Sequence, residues 1–385
     1  MRIERLELRL LKLPLVHFFE TSFGRIDDKH FILVRVDDGG VSGYGECVAE
    51  QDPYYSAETN ETCWHIIHDF IAPRVLGATF EHPRDVFPAL KAIRGNNMAK
   101  AAVEMAAWDL FARQRREPLS RVLGGVRARI ASGVSIGIQP SLAELGASVE
   151  RELAAGYQRI KIKVKPGWDL EPVRMIRERF GSVPLMVDAN AAYGAADADH
   201  LARLDDYGLM MIEQPLDYDD VAEHARLQRR VQTPICLDES IKTPALARAA
   251  IAAGACRIIN IKPGRVGGFA QSIRVHDSCA EHGVPVWHGG MLESGIGRAA
   301  NIHLSTLPNF TLPGDVAAST RYFNPDLIEP PIEVAPDGTI AVPDGDGLGV
   351  SICDDRVERA TRRCVELKAA PTGQVGRVGR IGQVG

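Results

Sequence analysis

Long apolar runs are missing from this chain: nothing approaches the roughly 18 to 20 consecutive apolar residues of a bilayer-spanning helix. Residues 4–8 alternate charged and apolar side chains where a secretory leader would be continuously apolar, so no signal peptide is expected at residues 1–15. An excess of positive charge is missing too. Lys and Arg number 45 against 50 Asp and Glu, a formal net charge of −5 with the signs interspersed. That balance leaves no basic stripe for nucleic acid and no cationic face for a membrane surface. The seven cysteines never form a C-x-x-C pair, which excludes a disulfide framework and a zinc site of ordinary spacing and suits a reducing cytoplasm. A G-x-G-x-x-G turn, the mark of a dinucleotide-binding open sheet, is also lacking. A small-molecule ligand is the class that remains.

What is present is ample material for a buried core, with 45% hydrophobic and 25% charged residues over 385 positions. Residues 1–125 read as α+β: Leu6, Leu8 and Leu10 alternate with Glu7 and Arg9, 31–36 is a second strand signal, and 97–116 has helical apolar spacing. From about 126 to 322 short apolar runs alternate with helix-length segments such as 171–180, the pattern of repeated βα units on a parallel sheet. Residues 323–370 are rich in Pro, Gly and Asp, with hairpin strands expected at 339–342 and 348–352 in a segment returning to the first domain. The Gly-rich repeats of 371–385 predict a mobile tail.

The βα region has a measurable period. Lys163, Asp188, Glu213 and Asp238 each follow an apolar run, at separations of 25, 25 and 25 residues. The series continues to Lys262, His288 and Asp315 at 24, 26 and 27, and reaches back 28 residues to Ser135. Eight such positions, one per predicted strand, match a (β/α)8 barrel, whose active sites lie at the carboxyl ends of its strands. Asp188, Glu213 and Asp238 then sit on consecutive strands. Three converging carboxylates repel unless a cation joins them, and an all-oxygen set with few protein ligands suits Mg2+, with Mn2+ or another divalent ion able to substitute.

Lys163 and Lys262 fall on strands two and six, opposite one another in a ring of eight. A substrate carboxylate bound at the cation would hold its α-carbon between the two amines, one to take a proton and one to return it. By the strand period Lys161 faces the same way as Lys163 and either orients the carboxylate or lowers the pKa of Lys163. Asn190 and Asn260 also point inward, toward the ligands or toward backbone groups. Two rival chemistries are a Schiff-base aldolase using one lysine as nucleophile, which needs no converging carboxylates, and a barrel that only binds its ligand.

Six segments carry a further signal: Lys161-Ile-Lys163-Val-Lys165, Val187-Asp188-Ala-Asn190, Ile212-Glu213-Gln-Pro215, Leu237-Asp238-Glu-Ser240, Asn260-Ile-Lys262-Pro-Gly-Arg265 and Gly289-Gly-Met-Leu-Glu-Ser-Gly-Ile-Gly297. Together they resemble the muconate-lactonizing subgroup of the enolase superfamily, and more narrowly the o-succinylbenzoate synthase and N-succinylamino acid racemase family, over residues 2–360. The resemblance implies Mg2+ at Asp188, Glu213 and Asp238 and an acid/base pair of Lys163 and Lys262. It implies either syn-dehydration to o-succinylbenzoate in menaquinone synthesis or racemisation of N-acyl amino acids, with dipeptide epimerase and muconate cycloisomerase as neighbouring activities, and commonly a homo-oligomer. Arg265 looks like the arginine of racemase-capable members. The α+β domain would be a capping lid whose Phe19, Phe23 and Tyr55 wall the substrate. Ser135, Gly290 and Met291 complete the candidate contacts. His288 departs from the family pattern of a small residue or cysteine on strand seven. It has no orienting aspartate on strand six, so a place behind the residues that touch the substrate, or a substrate contact, is expected rather than a base.

Overall fold

The computed structural model describes residues 1–370, so the tail expected to be mobile lies outside the described residues. The first domain is built on a four-stranded antiparallel sheet in the order Thr361–Lys368, Arg5–Thr21, Gly24–Asp38, Val41–Cys47. Leu6 and Leu8 are buried as the alternation predicts and Leu10 packs half-buried on the same face, while Leu11 and Leu13 are buried on the opposite face, so both sides of the sheet are covered. Helix Asn97–Arg115 packs across this sheet. The approach is close enough to need glycine: a Cβ on Gly45 would lie 2.1 Å from the Ala102 carbonyl oxygen, and one on Gly43 2.3 Å from that of Ala106.

The second domain holds seven parallel strands in sequential order, Gly133–Ile136, Arg159–Lys163, Leu185–Asp188, Ile212–Glu213, Ile235–Leu237, Ile258–Ile261 and Val286–His288. The eighth place in the ring is filled without a regular strand. Phe310 bridges in parallel to Val286 and Gly314 to Ser132, which joins the seventh strand to the first. Pro308 and Pro313 border this segment and cannot donate to a ladder. The barrel therefore closes. Outward-facing Ile160, Ile162, Val187, Ile212, Leu237 and Ile259 pack into the main core beneath the helices, whereas Met186, Met211, Cys236, Ile258 and Trp287 form a separate plug inside the ring.

The helix expected over 171–180 runs Leu170–Phe180, its first N–H bonded by the Asp169 carboxylate. The carboxyl-terminal hairpin is not found. Thr339–Ala341 pairs with Arg129–Ala131 and Ser351–Ile352 with Ile328–Glu329, so these two segments bind different partners rather than each other. The strand that reaches the first domain's sheet is Thr361–Lys368.

Candidate active site

Side-chain direction at the barrel mouth follows from the ladder, because residues paired across parallel strands point the same way. Lys161 pairs with Met186 and Lys163 with Asp188, Asp188 pairs with Glu213, and Glu213 with Cys236. All belong to the inward set, and Asp238 lies two residues beyond Cys236 on the same face. On the sixth strand Asn260 pairs with inward Trp287, and Lys262 is two residues further on.

These side chains form one buried ionic network. Lys163 Nζ donates to Asp188 Oδ2 and to Asn190 Oδ1, each at 2.6 Å. Lys161 Nζ lies 3.1 Å from Glu213 Oε2, 3.2 Å from Asp188 Oδ2 and 2.5 Å from Asp315 Oδ2. Lys262 Nζ donates to Asp238 Oδ2 at 2.7 Å, and Asn260 Nδ2 donates to Glu213 Oε1 at 2.6 Å. Burial alone would lower the pKa of Lys161 and Lys262, but the surrounding anions win and hold both above the ordinary lysine value. Burial acts to raise Asp315, yet Arg159 and Lys161 bring it down to about 2. Glu213 moves upward, first through burial and then through the charge of Asp188.

Whether this donor set fits a divalent cation can be judged from its own chemistry. Asp188, Glu213 and Asp238 are hard oxygen donors on neighbouring strand ends, and each is almost fully buried. Beside them Glu239 Oε2 is shut away from solvent without a hydrogen-bond partner. The negative charge and the unsatisfied oxygen both fit a hard cation. As the side chains stand, ammonium groups engage the carboxylates, and among the described residues no three acidic, His or Cys side chains converge on one point.

A cavity opens between the two domains above the lysines. Ser135, Lys161, Lys163, Asn190, Lys262, Gly290 and Met291 line it from the barrel, and Phe19, Phe23 and Tyr55 from the first domain. Two expected substrate contacts are not among its lining residues. Arg265 does not line the cavity: its guanidinium bonds the carbonyls of Ile241 at 2.8 Å and Asn260 at 2.5 Å, pairs with Asp238 and donates to the Tyr55 hydroxyl at 3.3 Å. His288 pairs with outward-facing Ile261, so it points away from the mouth and stacks against Phe310 at 6.2 Å. Both of its ring nitrogens lack partners, and burial holds its pKa down at about 4. The inward residue after Trp287 is Gly289, where a Cβ would meet Asn260 Oδ1 at 2.2 Å and Lys262 Cε at 2.6 Å. The small residue missing from the polar series is therefore present one position later.

Sequence reasoning also missed Lys29, a buried lysine on the cavity wall whose Nζ donates to the Val48 carbonyl at 3.2 Å. Lys29 lies among Asp27, Asp28 and His30, so its charge did not stand out from the polar start of its strand. Glu239 could have been noticed as the second acid of Asp238-Glu239.

Two family descriptions match the chain: the mandelate racemase / muconate lactonizing enzyme amino-terminal domain over residues 7–124, and the enolase carboxyl-terminal domain-like model over 144–356. The chain belongs to the enolase superfamily. Within the superfamily it is 54% identical to an o-succinylbenzoate synthase of Geobacillus stearothermophilus over 361 residues, 94% of this chain and 96% of the relative. It is 49% identical to an N-succinylamino acid racemase of Thermus thermophilus, covering 94% and 98%. A crystal structure of an enolase-superfamily member from Listeria innocua superposes with a TM-score of 0.92 at 37% identity, covering 96% of this chain and all of that one. Enolase-superfamily enzymes use a divalent metal, typically Mg2+.

Proposed function

We propose that this protein removes the proton α to a substrate carboxylate in an Mg2+-dependent reaction, acting as an o-succinylbenzoate synthase, an N-succinyl or other N-acyl amino acid racemase, or both. The observation that carries the reading is the placement of Lys163 and Lys262: strands four places apart in the ring bring both to one cavity, and each is bonded to a carboxylate at 2.6 or 2.7 Å. Relatives bearing both names, at 54% and 49% identity, support the choice of substrates.

Asp188, Glu213 and Asp238 would hold the cation, whose charge favours the negative charge that grows on the carboxylate as the proton leaves. Lys163 and Lys262 supply the proton transfers, and a lysine must be neutral to act as base. The acids around them are already matched by Lys161, Lys163, Lys262, Arg159 and Arg265, so further positive charge shifts an amine toward its neutral form. Phe19, Phe23 and Tyr55 exclude water from the carbanionic centre. Racemisation returns a proton from the opposite amine; dehydration instead expels a hydroxyl from the adjacent carbon. Both share the first step. Buried free thiols at Cys47, Cys63, Cys236, Cys256 and Cys279 suit the reducing cytoplasm in which such an enzyme would work.

Proton NMR in D2O with N-succinyl amino acids tests the reading. Lys163→Ala and Lys262→Ala should each abolish racemisation, and each should leave α-deuterium wash-in from at most one enantiomer. Chelation of divalent metal should stop both exchange and dehydration of the cyclohexadiene carboxylate. Full racemisation by either variant would refute the two-lysine scheme.

A further inference from the structure

The two proton-transfer lysines are held in place by different domains. Lys163 is fixed by Asp188 and Asn190, both barrel residues. Lys262 takes one barrel partner, Asp238, and one from the first domain: its Nζ donates to the Tyr55 hydroxyl at 3.1 Å and lies 4.5 Å from the center of the Tyr55 ring. The same hydroxyl donates to Asp238 Oδ1 at 3.0 Å. Tyr55, Asp238 and Lys262 thus form a triangle in which each member touches the other two, and Arg265 adjoins it, donating to the Tyr55 hydroxyl at 3.3 Å and pairing with Asp238. A lysine ammonium is a point charge on a flexible four-carbon stem with three rotatable donors, and two of those donors are taken here. Tyr55 rides on the segment between Glu50 and Thr59, which are joined by a bridge and cover the cavity from above.

We propose that Tyr55 is a positioning residue for Lys262, so that docking of the 50–59 segment aligns that amine and leaves the alignment of Lys163 to the barrel alone. The inference rests on the two-lysine reading above and adds an asymmetry to it: the two directions of proton transfer depend unequally on the lid. An apolar wall residue would affect both enantiomers alike. A residue acting through Lys262 affects one.

The test follows α-deuterium exchange of each enantiomer of an N-succinyl amino acid by the full chain with Mg2+. Lys262→Ala first identifies the enantiomer whose exchange needs Lys262. Tyr55→Phe, which removes one oxygen and keeps the ring, should slow exchange of that enantiomer about 10-fold or more in kcat, with the other changed less than about 2-fold. In the Lys262→Ala background Tyr55→Phe should have no further effect on the remaining exchange, since the two residues form one unit. Equal slowing of both enantiomers, no slowing, or slowing that persists without Lys262 would overturn the inference, the last because Tyr55 would then act through Asp238, Arg265 or the substrate rather than through Lys262. If Lys262→Ala leaves both enantiomers exchanging, the two-lysine reading falls and the inference falls with it. Tyr55→Leu, compared with Tyr55→Phe for thermal stability, separates loss of the hydroxyl from loss of the lid's packing.

Discussion

At the scale of single residues, the absence of a side chain shapes this site as much as the groups that are there. Gly289 follows the seventh barrel strand on its inward face, and a Cβ there would press on Lys262 Cε at 2.6 Å and Asn260 Oδ1 at 2.2 Å. Gly289→Ala should therefore displace Lys262 and lower kcat by about 10- to 100-fold, and it should lower the melting temperature as well, because the closest crowding falls on Asn260, which is buried and held by Glu213 at 2.6 Å. Turnover and a thermal melt on the same sample check this; an unchanged kcat would mean that Lys262 has room to spare. The same residue explains why the ring was legible at most places and misread at one. A carboxylate or amine at each strand end marks the inward phase by its polarity, which made Lys163, Asp188, Glu213, Asp238 and Lys262 visible. Glycine carries no such mark. The next polar side chain, His288, stood one residue out of phase, and the 26-residue step from Lys262 concealed the error.

Among the elements, the helices at the domain boundary do not all supply their own caps. Helix Phe269–Glu281 begins after Gly268, which has no side chain to accept from the first N–H groups. Glu104, from helix Asn97–Arg115 of the other domain, takes that place: its oxygens accept from Phe269 N at 2.7 Å, Ala270 N at 2.9 Å and Trp108 Nε1 at 2.7 Å. Burial raises the Glu104 pKa to about 7, against the pull of those three donors. Glu104→Ala strands buried donors and removes a cap, so it should cost about 2 to 4 kcal/mol in urea unfolding, with Glu104→Gln recovering much of it. A loss below about 0.5 kcal/mol would mean that the helix start is satisfied in another way. Such a cap was invisible beforehand because its partners lie 165 and 166 residues apart in sequence. The barrel strands were legible despite their shortness; Ile212–Glu213 spans 2 residues, yet the apolar run and terminal acid announced it. Segments 339–341 and 351–352 were legible as strands but not in their pairing, since β-pattern alone does not name a partner.

For the molecule as a whole, the contacts by which the first domain reaches the barrel include Tyr55 at Lys262, Glu104 at one helix start and Glu46 at another. Glu46 accepts from Ser294 Oγ at 2.6 Å, Ser294 N at 3.1 Å and Gly297 N at 3.2 Å, just beyond the 290–293 segment that lines the cavity. Burial is the largest cause that lifts its pKa to about 8, the nearby Glu293 adds to it, and Ser294 and Lys29 oppose. An acid whose pKa is raised on folding binds its proton more tightly in the folded state. Its stabilisation is fully present below the unfolded value of about 4.5 and is lost as pH rises through the folded value. Glu104 and Glu46 therefore both make the protein less stable on the way from about pH 4.5 to 8, at roughly 1.4 kcal/mol per pH unit for each group in its range. His303 works in the opposite sense. Its Nδ1 accepts from Ser120 N at 3.0 Å and its Nε2 lies 3.1 Å from the Leu348 carbonyl, so the neutral ring satisfies both contacts, and burial lowers its pKa to about 4. Its contribution is lost as pH falls from about 6.5 to 4. Between about pH 5 and 6.5 the two acids together outweigh His303, so stability should fall with rising pH from about pH 5 to 8, and between pH 7 and 8, where Glu104 is largely ionised, Glu46 still carries the slope. Glu46→Gln, which imitates the protonated acid, should flatten that decline while leaving the acid side unchanged. Urea unfolding of both proteins at pH 6, 7 and 8 decides the matter: parallel curves would show that the alkaline loss arises elsewhere and that the Glu46 contact holds the two domains together in either charge state.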